Sequence, residues 1–150
     1  MESYLFTNVE AAADTLVVEG WHKPGTLTRS SGAWIHAAGT AMFEQGEVQL
    51  NSHDQWIWFA VEAGDVVLHW DGNELPLKAE DTCFLPAGAH QAYLSVPDQA
   101  RVLWVALEGN LAPMVVRKMG ALLHMPLRQG ALPSQMYLAK QIVQVMVRHS

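Results

Sequence analysis

The chain holds a single cysteine, Cys83. That excludes an internal disulfide. The opening "MESYLFTNVEAAAD" also lacks the basic start and apolar run of an export signal, so a reducing cytoplasm is the expected compartment. Basic residues are scarce: nine Lys and Arg face fifteen Asp and Glu, for a net charge of −6. Such a surface repels a phosphate backbone, so no nucleic-acid contact is expected from this piece. It is equally unsuited to an acidic membrane surface. Long apolar runs are missing as well. "WIWFAV", Trp56–Val61, is the longest in the strand-like region and falls far short of the ~20 residues of a membrane span. No repeat or low-complexity linker divides the 150 residues, which is one domain's length.

What is present changes character near Gly109. Before it, short apolar runs alternate with turn residues. "AWIHAAGTAMF" and "EVQLN" flank a turn at Gln45-Gly46. "QWIWFAVEAG" leads into "DVVLHW", and Asp71-Gly72 then gives a strong hairpin signal. "ELPLK", "DTCFLP", "HQAYLSV" and "RVLWVAL" follow. Strands at this spacing predict a mainly β sandwich or barrel. After Gly109 the period becomes helical. Asn110 is a candidate cap for "NLAPMVVRKMGALL", and Ser134 for "QMYLAKQIVQVMVRHS". In the second segment Met136, Ala139, Val143, Met146 and Val147 repeat at three- and four-residue spacing. Leu138, Ile142 and Val145 widen the stripe to most of the circumference. A helix this apolar either docks on its own barrel or forms a dimer. Residues 1–109 are thus expected to form a barrel with an N-terminal arm, and 110–150 the helices of the same domain.

"FLPAGAHQAYL", Phe84 to Leu94, presents Pro-x-Gly followed by a histidine. Together with "HDQWIWFAVEAG" it resembles the two motifs of the cupin fold, a double-stranded β-helix or jelly roll. In that family a first motif reads H-x-H-x3-E-x6-G. Counted back from Gly64, the ligand positions are Asn51, His53 and Ile57, so one histidine is replaced by an amide and the glutamate by an apolar side chain. The second motif has its histidine one place early, at His90, and places Gln91 in register. Side chains alternate along a strand, so one residue of offset turns His90 to the other face; a shorter loop would return it inward. Metals of this class need converging imidazole and carboxylate ligands. Asn, Ile and Gln do not supply them, so no metal, no cofactor and no enzymatic activity are expected.

Strand parity then gives a different lining. If His53 points inward, so do Asn51, Gln55, Ile57, Phe59 and Val61, while Trp56 and Trp58 point outward. Asn51, His53, Gln55, Gln91 and Tyr93 form a candidate polar cluster in an apolar barrel, the usual make-up of a small-molecule pocket. Cys83 sits in an apolar run with no basic neighbour and reads as an inert core thiol.

The combination of a metal-poor cupin, "VLWVALEG" ending the last strand and "LAPMVVRKMG" starting a helix resembles the N-terminal effector-binding and dimerisation domain of AraC-type transcription regulators. That resemblance implies a small effector in the barrel, often a sugar, and a homodimer formed through helices after the barrel. DNA is then contacted only through a separate C-terminal domain absent from this chain. It implies that Trp104 stacks on the effector, that Tyr93 shares the pocket, and that an N-terminal arm closes over it. One departure is Glu80-Asp81, where the family has Gly-Asp. The rival readings are a metal-dependent cupin enzyme using His53 and His90, and a stand-alone metal-free binding protein.

Overall fold

The computed structural model describes residues 3–7, 16–21, 30–51, 56–85, 92–118, 129–130 and 133–148. The strands are β1 (Phe6–Thr7), β2 (Leu16–Trp21), β3 (Trp34–Phe43), β4 (Gly46–Leu50), β5 (Trp56–Trp70), β6 (Asn73–Lys78), β7 (Asp81–Leu85), β8 (Tyr93–Val96), β9 (Ala100–Glu108) and β10 (Gln129–Gly130). The helices are α1 (Ala112–Lys118) and α2 (Pro133–Arg148). The protein is mainly β, a curled antiparallel jelly-roll barrel followed by helices, as expected from the alternation before Gly109.

The long strand β5 belongs to both sheets of the barrel. Its first half pairs with β7 and β9, and its second half with β6 and β8. One sheet runs β2-β3-β9-β5-β7-β10 and the other β1-β4-β8-β5-β6. At the β5–β6 turn Asp71 and Gly72 both adopt positive φ, 46° and 81°. Two such residues make the hairpin turn whose twist matches its strands. At the β6–β7 turn Glu80 has φ 76°, the left-handed conformation that glycine adopts without strain. The Glu80-Asp81 departure therefore keeps the turn's geometry with a non-glycine residue. The Asp81 carboxylate secures it by accepting from the Lys78 amide at 3.0 Å.

The strands of the first sheet are buried on both faces. On the inner face, Ile57, Phe59 and Val61 of β5 meet Val102, Trp104 and Ala106 of β9 and the buried thiol of Cys83. On the outer face, Trp56, Trp58, Leu103 and Val105 meet the helices. The parity read for β5 is therefore correct: its tryptophans lie on the outer face, in the cluster shared with the helices. Helix α2 buries Ala139 and Val143 there, with Met136, Met146 and Val147 partly covered by the same cluster. Of the two readings of the stripe Met136, Ala139, Val143, Met146 and Val147, docking on the barrel and dimerisation, the contacts of these five residues are with the chain's own barrel. The outward face of α2 carries Tyr137, Leu138 and Val145 instead, 67%, 59% and 52% exposed. Close docking depends on Gly20 of β2, where a Cβ would collide with the Met146 carbonyl. Among the described residues no helix is long and apolar enough to cross a membrane.

Candidate functional site

Residues 3–5, just before β1, thread into the barrel. Tyr4, Leu5 and Phe6 are all buried, at 8%, 0% and 1% exposure. Phe6 packs edge-on against Phe43, with centroids 4.9 Å apart. Tyr4 lies flat on Trp104, with ring centroids 5.2 Å apart and planes 12° from parallel. Trp21 meets the same ring edge-on at 6.4 Å, and His36 is tilted against it at 5.6 Å. The other side of Trp104 abuts Gly39, its cross-strand neighbour. A Cβ at that position would sit 2.7 Å from the indole Cζ2, so glycine is what lets the indole lie flat against β3. Trp104 is fully buried, and its Nε1 has no hydrogen-bond partner among the described residues.

His36 reaches this cluster through an irregularity in β3. The β3–β9 ladder shifts register between Ile35 and Ala37, so His36 is the extra residue of a bulge, a device that re-aims one side chain. Its Nδ1 lies 3.0 Å from Glu108 Oε2. Burial, reinforced by the nearby Glu108 carboxylate, raises the Tyr4 phenol well above its ordinary value. The phenol is therefore neutral at any physiological pH. The second bulge lies between Val61 and Ala63 on the β5–β9 ladder. It leaves Glu62 facing Arg101 at 3.6 Å and Lys140 of α2 at 3.5 Å. These residues border a groove of about 350 Å³ along α2, floored by Met42, Leu103 and Val143.

Two polar anchors hold the arm. Glu19 of β2 accepts from the Ser3 hydroxyl at 2.6 Å and from the Tyr4 amide at 2.7 Å. Asn51, at the end of β4, donates to the carbonyls of Ser3 and Tyr4, both at 3.1 Å. Its Oδ1 accepts from the Thr7 hydroxyl. Its backbone amide meets the Leu5 carbonyl at 2.7 Å. Asn51 and Trp104 thus meet through Tyr4: one holds its backbone and the other its ring.

Tyr93 does not join them. Leu94 and Val96 of β8 point into the core, so Tyr93 faces outward. There it stacks on His69, centroids 4.3 Å apart and planes 5° from parallel, beside Ser95, whose hydroxyl is 2.9 Å from His69 Nε2. The inward placement read from the second motif is corrected on this point. His53, Gln55, His90 and Gln91 lie outside the described residues. Among the described residues no three His, Cys, Asp or Glu side chains gather in a metal-binding group. Tyr4, Trp21, His36, Glu19 and Glu108 were not singled out from sequence. The bulge conceals His36 from any parity count, and no local pattern marks Tyr4.

Comparison with solved structures agrees on the barrel. YhaK from Escherichia coli superposes with a TM-score of 0.53 at 9% identity, over 78% of this chain and 51% of that one. A cupin 2 conserved barrel domain protein from Leptotrichia buccalis gives 0.51 at 13% identity, over 65% and 42%. A protein assigned as ethanolamine utilization protein Q from Salmonella typhimurium gives 0.50 at 20% identity, over 70% and 80%. At these identities the likeness concerns the fold alone. No curated protein matches the chain. A family model does: the AraC-like ligand binding domain matches residues 35–149. Its span runs from the bulge of β3 to the end of α2, and the chain belongs to that family.

Proposed function

We propose that this chain is the sensing and dimerisation part of a transcription regulator, not an enzyme. A small metabolite enters the barrel at Trp104, two copies associate through the outward face of α2, and DNA is contacted only by a further domain. Family membership supports ligand binding. The observation that carries the regulatory step is the double attachment of β2. On the inner face of this strand, Glu19 holds the arm through Ser3 and Tyr4. On the outer face, Gly20 receives the Met146 turn of α2. A ligand that changes the arm's contacts therefore acts on the strand that seats the helix. Such a switch needs different affinities for the two arrangements; about 1.4 kcal/mol of difference shifts the balance tenfold.

The test is a metabolite screen by tryptophan fluorescence, followed by sedimentation equilibrium with and without the hit. A hit that binds the unaltered chain, fails to bind Trp104→Phe or Trp104→Leu, and changes the dimer constant supports the reading. A hit that binds all three chains equally shows that the pocket lies elsewhere. A dimer constant untouched by saturating ligand removes the regulatory step.

A further inference from the structure

The position on Trp104 that a ligand would take is filled by the chain's own Tyr4, and the way it is filled describes the ligand. Trp104 lies parallel to the ring, Trp21 presents an edge and His36 closes a third side. Flat aromatic walls on several sides fit a flat guest, because offset stacking and edge contacts both need a planar partner. Among the described residues, the inner cluster around the Tyr4 ring also contributes hydrocarbon: Ala37, Phe43, Phe59 and Val102 belong to it. A sugar ring stacked against these aromatic and aliphatic walls would turn hydroxyls toward them, and buried hydroxyls without partners are costly. What polarity there is collects near the phenol end, where the His36–Glu108 pair lies and where Glu108 acts on the Tyr4 phenol. The buried Trp104 Nε1 has no acceptor among the described residues.

We propose that the barrel is built for a planar aromatic ring carrying an oxygen substituent, and that Tyr4 is a tethered stand-in that a free ligand of this class displaces. The proposal rests on the sensing reading above and narrows its ligand from any small metabolite to a phenol-like one. It also gives the arm a role in setting affinity. A ring tethered to its own site competes at an effective concentration on the order of millimolar, so a free ligand binds the intact chain more weakly than a chain without the ring. The tether is suited to release at its tip. Ser3 and Tyr4 are held by hydrogen bonds to Glu19 and Asn51, which water replaces readily, whereas Leu5 and Phe6 are packed in the core and β1 is paired with β4.

The experiment uses three probes: 4-methylphenol, which is the tyrosine side chain cut free; 4-methylcyclohexanol, of similar size but neither flat nor aromatic; and a pentose. Affinities are measured by calorimetry for the unaltered chain, Tyr4→Ala and Tyr4→Leu. Amide exchange is followed in the unaltered chain. We expect 4-methylphenol to bind both variants at least tenfold tighter than the unaltered chain, and at least tenfold tighter than 4-methylcyclohexanol does. In the unaltered chain, saturating 4-methylphenol should speed exchange at the Leu5 and Phe6 amides by at least tenfold while Val102–Val105 stay protected. Mere filling of a mutational cavity would not move the arm of the unaltered chain, so the exchange result decides the matter even if both variants unfold. Unchanged arm exchange, or equal binding by the two cyclic alcohols, overturns the proposal. Arm release by the pentose and not by the phenol overturns it while leaving the sensing reading intact. If no metabolite of any class releases the arm or shifts the dimer constant, the sensing reading fails as well.

Discussion

The two ends of the chain are docked on opposite faces of one strand, and by different physics. The arm enters the barrel with Tyr4, Leu5 and Phe6, yet its backbone is held by side-chain hydrogen bonds from Glu19 and Asn51. Helix α2 lies outside; its hold is mainly apolar, through Ala139 and Val143 in the outer cluster, with an ion pair from Lys140 to Glu62 at its side. Hydrogen bonds to water and to protein are nearly interchangeable in free energy, so a polar attachment exchanges easily. Buried apolar area has no such alternative partner and holds until the whole surface parts. The polar bonds around Ser3 and Tyr4 are accordingly the arm's easier attachments to exchange, Leu5 and Phe6 being held by the core, and α2 is fitted to follow the strand beneath it.

Substitutions can separate the two attachments. Trp104→Ala removes the largest fully buried side chain and takes away the arm's stacking partner. We expect a loss of about 3–5 kcal/mol in chemical denaturation, with faster arm exchange. An arm that stays protected would mean the stack is incidental. Gly20→Val drives a side chain into the Met146 turn. It should cost about 1–3 kcal/mol and raise proteolysis of α2 without altering the arm. Glu19→Ala is the reciprocal test: about 1–2 kcal/mol is lost with the two bonds to Ser3 and Tyr4, and exchange at Leu5 and Phe6 rises while α2 is unaffected. If α2 also loosens, β2 couples the two ends in the direction proposed.

Glu80→Gly touches neither attachment. Relief of its left-handed φ of 76° should stabilise the protein by up to about 1 kcal/mol, read as a rise in Tm. At neutral pH the smallest effect belongs to Cys83. Burial pushes its thiol up to about 12 from 9.0. The native chain therefore holds this proton where the unfolded chain has released it. The contribution is fully present below pH 9 and is lost as pH rises from about 9 towards 12. Cys83→Ala should flatten that alkaline decline, measured by urea titration across the window.

How much of this was legible in sequence depends on whether a count of residues survives folding. Alternation in "QWIWFAV" correctly sent Ile57 and Phe59 inward and Trp56 and Trp58 outward, because the strand is regular from Trp56 to Val61. Asp71-Gly72 named its own turn, since few residue pairs accept two positive φ angles. Cys83 was readable as a core thiol from its apolar neighbours. The count failed wherever the backbone adds or drops a residue. Tyr93 was placed by a motif register that crosses the loop before β8, and it came out on the other face. The bulges at His36 and Glu62 are invisible in local patterns, since both flanking runs look regular. The stripe on α2 was read correctly as apolar, but periodicity does not say whose surface an apolar stripe meets. The arm was expected only from the family resemblance: its place inside the barrel is set by Glu19, which no pattern marks, and by Asn51, which was read as pocket lining and not as the arm's anchor.

Among the described strands β2 ends its sheet, hydrogen-bonded to β3 alone. In genetic terms this makes it the natural home of altered-response alleles. An interior strand such as β9 is stitched on both sides, so damage there shows as loss of protein. A border strand can tilt with one ladder intact, so on the regulator reading proposed above substitutions along Val17–Trp21 should yield folded proteins that are deaf to an inducer or signal without it. A random-mutagenesis screen on a reporter strain would find such alleles gathered in those few codons.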